Sequence, residues 1–386
     1  MWRNIASNAL SLFIVVLIVA VGVVAWGQKQ YTSEGPLAET ICLRVERGSS
    51  FSRVADSLEA QGAISNAAIF RIGVEYSDKA SALKAGSFLV QDGASMEEIV
   101  DIVTRGGAST CGTEILYRVG VLSAVMQVRE LDPATQDYKI TAEFKPAELE
   151  GDAPETYLEK RDESDTRFRI AVAEGVTSWQ IVDSLNRADF MTGEVASTPA
   201  EGSLAPDSYE VKAGADRATL IASMQDAQVE ILAEAWNARA ADLPYANADE
   251  ALVMASIVEK ETGLAEERRQ VASVFVNRLN KGMRLQTDPT VIYGITKGQG
   301  SLGRGLRQSE LRRETPYNTY VIDALPPTPI ANPGRAAIEA ALNPDSTPYL
   351  FFVADGTGGH AFAETLAQHN ANVAEWRKIE AERANQ

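Results

Sequence analysis

Residues 247–263 read NADEALVMASIVEKETG. Asn247 or Asp249 can cap a helix, Met254, Ile257 and Val258 give it an apolar stripe, and Gly263 ends it. Glu261 follows Val258, Ile257 and Met254 at helical spacing and so continues that stripe, with a carboxyl group at the end of an apolar face. Burial disfavours the charged form, so such a group can stay protonated and serve as a general acid. Glu259 falls about 160° away around the helix, on the side of Ala255 and Leu252. The bland alternative is a solvated run of charge, Glu259-Lys260-Glu261, at a helix end.

Downstream the chain continues VASVFVNRLNKGMRLQTDPTVIYG, PYNTY, LPPTPIANPG and YLFFVADGTGGHAFAETLAQHN. These ordered segments resemble the endolytic murein transglycosylase (YceG-like) family, strongly over Ala251 to Trp376 and more weakly upstream, at Leu43–Val103, Glu174–Leu185 and Leu204–Val211. The resemblance implies an α+β chain: an N-terminal transmembrane helix (1–27), a LysM-like small α+β domain (28–111), a second LysM-like or connecting region (167–245) and a lysozyme-like, YceG-type catalytic domain (246–386). It also implies peptidoglycan as substrate, cut between N-acetylmuramic acid and N-acetylglucosamine to leave a 1,6-anhydro-muramic end without water. Glu261 takes the acid/base role and Glu259 is the alternative; the Glu-Thr pair is similar to the Glu-Ser pair of lysozyme-like transglycosylases. A two-carboxylate glycosidase needs a second, suitably spaced Asp or Glu, and the motif offers no obvious one. A hydrolytic muramidase and a non-catalytic wall-binding scaffold are the competing readings. The reaction calls for no metal or other cofactor.

Other segments supply candidate sugar contacts. In Gln286-Thr287-Asp288-Pro289 the aspartate can cap a helix whose first turn holds the proline, or can bind substrate. Tyr317-Asn318-Thr319-Tyr320 offers stacking rings with amide and hydroxyl groups, or core tyrosines. Gln286 and Asn318 are the expected partners of an acetamido group. Four prolines between Leu325 and Pro333 make a stiff loop, Pro333 opens a helix through Leu342, and Leu350–Phe362 reads as a hairpin followed by a structural or surface His360. With only His360 and His369, no serine or cysteine has a credible triad partner, and the glycine-rich run 294–305 lacks the ending of a phosphate loop.

At the other end, residues 9–26 form 18 consecutive uncharged residues, about 27 Å of helix and enough to cross a bilayer. A retained anchor is expected, with a cleaved leader at a small-residue site around Ala20 and Gly22 as the alternative. The terminal amino group and Arg3 before the run, and Lys29 after it, weakly favour an inside N-terminus. That reading puts the bulk of the chain in the periplasm, on the outer side of the inner membrane, able to cut nascent strands and to meet peptidoglycan synthases. Cys42 and Cys111 bracket the first folded unit and either bridge it or remain buried thiols.

Between these ends a unit recurs three times: a strand-like run, a glycine, a Ser or Thr two residues on, then helical spacing. Its glycines are Gly48, Gly93 and Gly175. The stretch 112–166 shows little periodicity apart from an alternating Tyr138–Phe144, and reads as an insert of no assignable chemistry; Ala215–Asp242 reads as a helix. At 386 residues the chain is long enough for two or three domains, and its net charge of −17 argues against nucleic acid as a partner.

Overall fold

The computed structural model describes residues 2–384 and is a mixed α+β protein. Its contacts divide into two compact units, Met1–Ile115 with Gln127–Glu143 and Ala153–Phe168, and Leu116–Met126 with Phe144–Asp152 and Arg169–Gln386.

The first unit begins with α1 (Trp2–Thr32). Ala9–Thr32 is a candidate single membrane span, its 18-residue apolar window having a mean hydropathy of 2.9 and no residue buried in the protein. Met1, whose amino group enters the orientation argument, lies outside the described residues. The helix runs past Trp26, and Tyr31 near its end packs against the core that follows. That core is built from β1 (Ile41–Val45), α2 (Phe51–Ala60), α3 (Ala67–Tyr76), β2 (Gly86–Val90) and α4 (Met96–Thr104). The two strands pair antiparallel, Ile41 opposite Val90 and Val45 opposite Gly86. Leu43, Leu58, Phe70, Val90 and Ile99 fill the interior, each fully buried side chain contributing about 1.5–3 kcal/mol of transfer free energy. Cys42 and Cys111 are bridged, closing a loop of sequence separation 69.

The repeated unit is physically the same device each time. Gly48, Gly93 and Gly175 take positive φ of 76°, 67° and 77°, where a side chain would be strained. Ser50, Ser95 and Thr177 then cap the following helices through their hydroxyls.

The stretch 112–166 is ordered and includes the expected strand at Tyr138–Phe144. It contributes β3 (Thr113–Val119), β4 (Ala124–Leu131), β5 (Tyr138–Phe144) and α5 (Glu155–Arg161). With β6 (Arg167–Val172) and β7 (Ser208–Val211) the strands form a five-stranded sheet in the order β5-β4-β3-β6-β7. β3 is its middle strand and is buried at five successive positions, so it shows no alternation. Its Glu114 is buried yet paired, accepting from Arg129 Nε at 2.7 Å, with Arg167 at 3.8 Å.

The second unit contains α6 (Ser178–Arg187), α7 (Arg217–Asn237), α8 (Ala248–Glu261), α9 (Arg268–Asn280), α10 (Asp288–Thr296), α11 (Gln308–Leu311), α12 (Arg335–Leu342), β8 (Phe351–Ala354), β9 (His360–Ala363) and α13 (Leu366–Ala384). β8 and β9 form the expected antiparallel hairpin. α12 starts two residues later than Pro333, because Gly334 is its cap. α8 is the centre of this unit: every residue from Ala251 to Val258 is buried, with α9 and α12 supplying much of the surrounding apolar cluster. The proline-rich loop is fixed from inside by the fully buried Asn332, whose amide donates to Val176 O at 3.0 Å and accepts from Leu204 N at 2.9 Å. One side chain thus ties the third glycine turn and the Leu204 segment to the loop.

Candidate active site

α8 is capped by Asn247, whose side chain accepts from Glu250 N at 3.0 Å, and its last helical residue is Glu261. The charges at its end are not a solvated run. Glu259 turns to one side, where Oε2 accepts from Gly334 N at 3.0 Å and so supports the start of α12. Lys260 donates to Gly175 O at 3.2 Å, and burial pushes its ammonium pKa down. The third of these residues, Glu261, lines a cleft of about 510 Å³, whereas Lys260 lines a different cavity beside Thr177 and Tyr293. The reserve residue Glu259 is absent from that lining, and its backbone-directed bond gives it a structural job.

The Glu261 carboxyl is raised above its ordinary value of 4.5, chiefly by burial and further by the Asp288 charge; the Thr287 hydroxyl bond and His360 act in the opposite direction. Thr287 donates from Oγ1 to Glu261 Oε1. Thr287 is itself held by its backbone, its N–H donating to Thr319 Oγ1 at 3.0 Å, and Thr319 Oγ1 lies 2.9 Å from Thr290 Oγ1. Three buried threonines therefore hold the hydroxyl that meets the carboxyl.

This assembly corrects the sequence reading of the TDP segment. Thr287, not Asp288, occupies the cap position of α10, and it makes no side-chain capping bond because its hydroxyl serves Glu261. Asp288 is the first helical residue, and its carboxylate accepts from Tyr320 Oη at 2.6 Å inside the same cleft. A second carboxylate therefore does lie in the Glu261 cleft, which the motif alone did not reveal. Gln286 also lines it, with φ +53°. A non-glycine residue in the left-handed region costs of order 1 kcal/mol and persists only where its surroundings hold it; here its N–H donates to Thr319 O at 3.1 Å.

The PYNTY segment divides. Tyr320 reaches the cleft. Asn318 does not: it is fully buried, its amide donates to the carbonyls of Glu310, Leu311 and Arg313, and Oδ1 accepts from Tyr320 N. It organises the loop and is corrected here from sugar contact to clamp. Thr319 is likewise fully buried behind Thr287. Tyr317 packs on Tyr293 at 5.1 Å and meets Thr328 at 2.8 Å, lining a separate depression walled by the proline loop. His360 pairs with Glu267 at 2.8 Å, a structural role.

Several cleft residues were not singled out from the sequence. Arg278 is buried, donates from Nε to Leu350 O at 2.6 Å and from Nη1 to Leu285 O at 2.8 Å, and lies 5.1 Å from the Phe351 ring. Burial pushes its pKa down. His369 stacks on the same ring at 5.2 Å, and burial together with Arg278 pushes its pKa down too. The aromatic wall of Phe351 and Phe352 comes from β8. The signal available for these residues was the FF pair of the hairpin, next to a helix carrying an Arg. A larger cavity of about 650 Å³ at Arg268 and Arg335 lies elsewhere in this unit and does not include Glu261.

The YceG-like family model matches residues 43–375, which takes in the cleft and most of the chain. The chain belongs to the YceG-like family. Among its relatives, a protein of Bacillus subtilis named endolytic murein transglycosylase is 28% identical over 331 residues, covering 86% of this chain and 83% of that protein. A Streptococcus pneumoniae protein of the same name is 29% identical over 342 residues, covering 87% of this chain and 58% of its own length. A YceG-like protein of Listeria monocytogenes, known from a crystal structure, aligns with a TM-score of 0.45 and 27% identity over 86% of this chain and 99% of that one.

Proposed function

We propose that this protein is an endolytic peptidoglycan lytic transglycosylase, with Glu261 as its single acid/base. The observation that carries the reading is the carboxyl of Glu261, raised by burial at the end of α8 and open to a cleft. The names of its relatives support the same substrate.

The geometry supports a two-stage use of one carboxyl. Protonated Glu261 gives its proton to the glycosidic oxygen between N-acetylmuramic acid and N-acetylglucosamine, and the C1–O bond breaks. The carboxylate left behind accepts from Thr287, then takes the proton of the muramic 6-hydroxyl as that oxygen bonds to C1. The proton balance closes without water, and the product ends in 1,6-anhydro-muramic acid. Gln286 and Tyr320 are placed to orient the sugar, and Phe351 and Phe352 offer it an apolar wall. Conversion of Glu261 to Gln is expected to abolish glycan cleavage while binding persists. Glu259→Gln is expected to retain cleavage. Activity surviving in Glu261→Gln would contradict the assignment.

Asp288 favours a second reading, because a cleft with two carboxyl groups is what a hydrolase requires. Its hydrogen bond to Tyr320 commits one oxygen and supports a positioning role instead.

The same proposal extends to the rest of the chain. The order β1-α2-α3-β2, with its strands antiparallel, supports a LysM-like, glycan-binding reading of the first unit. α1 is proposed as a retained inner-membrane anchor with its N-terminus in the cytoplasm, which would confine cleavage to nascent strands near the synthases and so end their elongation.

A further inference from the structure

We infer that α3 carries a second membrane contact: its exposed face, Ile72 and Tyr76, lies in the headgroup region of the bilayer that α1 crosses. The inference rests on reading α1 as an anchor and adds to it.

The level of α3 follows from its contacts with α1. Ser65, just before α3, reaches Gln30 at 3.5 Å, and Ser77, just after it, hydrogen-bonds Tyr31. Both ends of α3 thus meet α1 at neighbouring residues, so α3 runs crosswise to the anchor at one height. In the middle, Gly73 leaves the space that the Tyr31 ring fills; a Cβ there would collide with it. Tyr31 is five residues beyond Trp26, about 7–8 Å of helix rise. If Trp26 marks the interface, as the end of the uncharged run indicates, that rise is the depth of one headgroup layer.

The facing of α3 follows from its sequence. Phe70 and Val74 are buried in the core. Ile72 and Tyr76 are four residues apart, on a face about 160° from Phe70 and Val74, and they are 69% and 91% exposed. Gly73, against α1, lies between the two faces. With α1 near the membrane normal and the core on the side away from the bilayer, the face opposite the core points at the lipid. An isoleucine and a tyrosine, one apolar and one with a polar tip, suit that layer.

The test uses the full chain in vesicles of phosphatidylethanolamine and phosphatidylglycerol, with its disulfide intact. A single fluorophore is attached through Tyr76→Cys, Ile72→Cys, Glu75→Cys or Leu17→Cys, and lipids carry a nitroxide either at the headgroup or deep in the acyl chain. The inference predicts roughly twofold quenching at positions 72 and 76 by the headgroup nitroxide, and clearly less at 75, a quarter-turn away. Position 17, about 13–14 Å of helix rise below Trp26, should be quenched by the deep nitroxide. Quenching at 17 with none at 72 and 76, or equal quenching at 75, would overturn the inference while leaving the anchor in place. No quenching at 17 would overturn the anchor and the inference with it.

Discussion

Glu259 and Glu261 are two residues apart and both have carboxyls raised by burial, yet only Glu261 lines the 510 Å³ cleft. Direction decides between them: Glu259 spends an oxygen on the backbone of Gly334, whereas Glu261 meets a side-chain hydroxyl that can follow its change of charge. A carboxyl raised above 4.5 in the folded state favours folding fully below that value, and this contribution is lost as pH rises through the raised value. Glu261→Gln is therefore expected to melt at a higher temperature than the parent at about pH 8, with the gap closing below about pH 4.5; calorimetry across pH checks it. The same substitution should cost about 10³-fold or more in glycan cleavage. Thr287→Val removes a bond to the charged form, so the pH above which activity declines should move upward and the rate should fall about tenfold, with Thr287→Ser restoring both. Asn318→Ala should cost about 1–3 kcal/mol in denaturant melts by orphaning loop carbonyls, with KM for glycan unchanged. Glu261 was legible because it ends an apolar stripe. Arg278 and His369 were not, since nothing local in the sequence distinguishes an arginine or histidine that lines a cleft from one that does not.

Among the elements, the glycine turns and their caps were readable because a positive φ and a hydroxyl two residues later are local requirements. β3 was not. It is buried on both faces, so its sequence lacks the period of two, and its buried Glu114 looks like a loop residue until Arg129 and Arg167 are brought beside it across the sheet. α8 shares the problem in part: burial all round blurs its stripe, although the cap and the terminal glycine still mark its ends. The disulfide ties β1 to the residues that lead into β3. Replacing Cys42 and Cys111 by Ser should lower the stability of the first unit by about 2–4 kcal/mol, as measured by denaturation under oxidising conditions.

Across the whole molecule, a helix with an uncharged run at residues 9–26 precedes a strongly acidic remainder, and the chain as a whole carries −17. The proposed anchor would hold such a protein by apolar burial and not by attraction to anionic lipid. It should stay with membranes through high salt and alkaline carbonate, and should become soluble when residues 1–27 are removed. The family and the α+β class could be read from ordered motifs, whereas the five-stranded sheet needed the structure, because β3 pairs with β6 and β6 with β7 across long stretches of sequence. The central claim is that one carboxyl cleaves glycan without water. It is tested most directly by mass spectrometry of the products formed when residues 28–386 digest uncross-linked peptidoglycan strands. The account predicts 1,6-anhydro-muramic ends, one water lighter than reducing ends. Reducing ends would contradict it and make Asp288 the second carboxylate of a hydrolase.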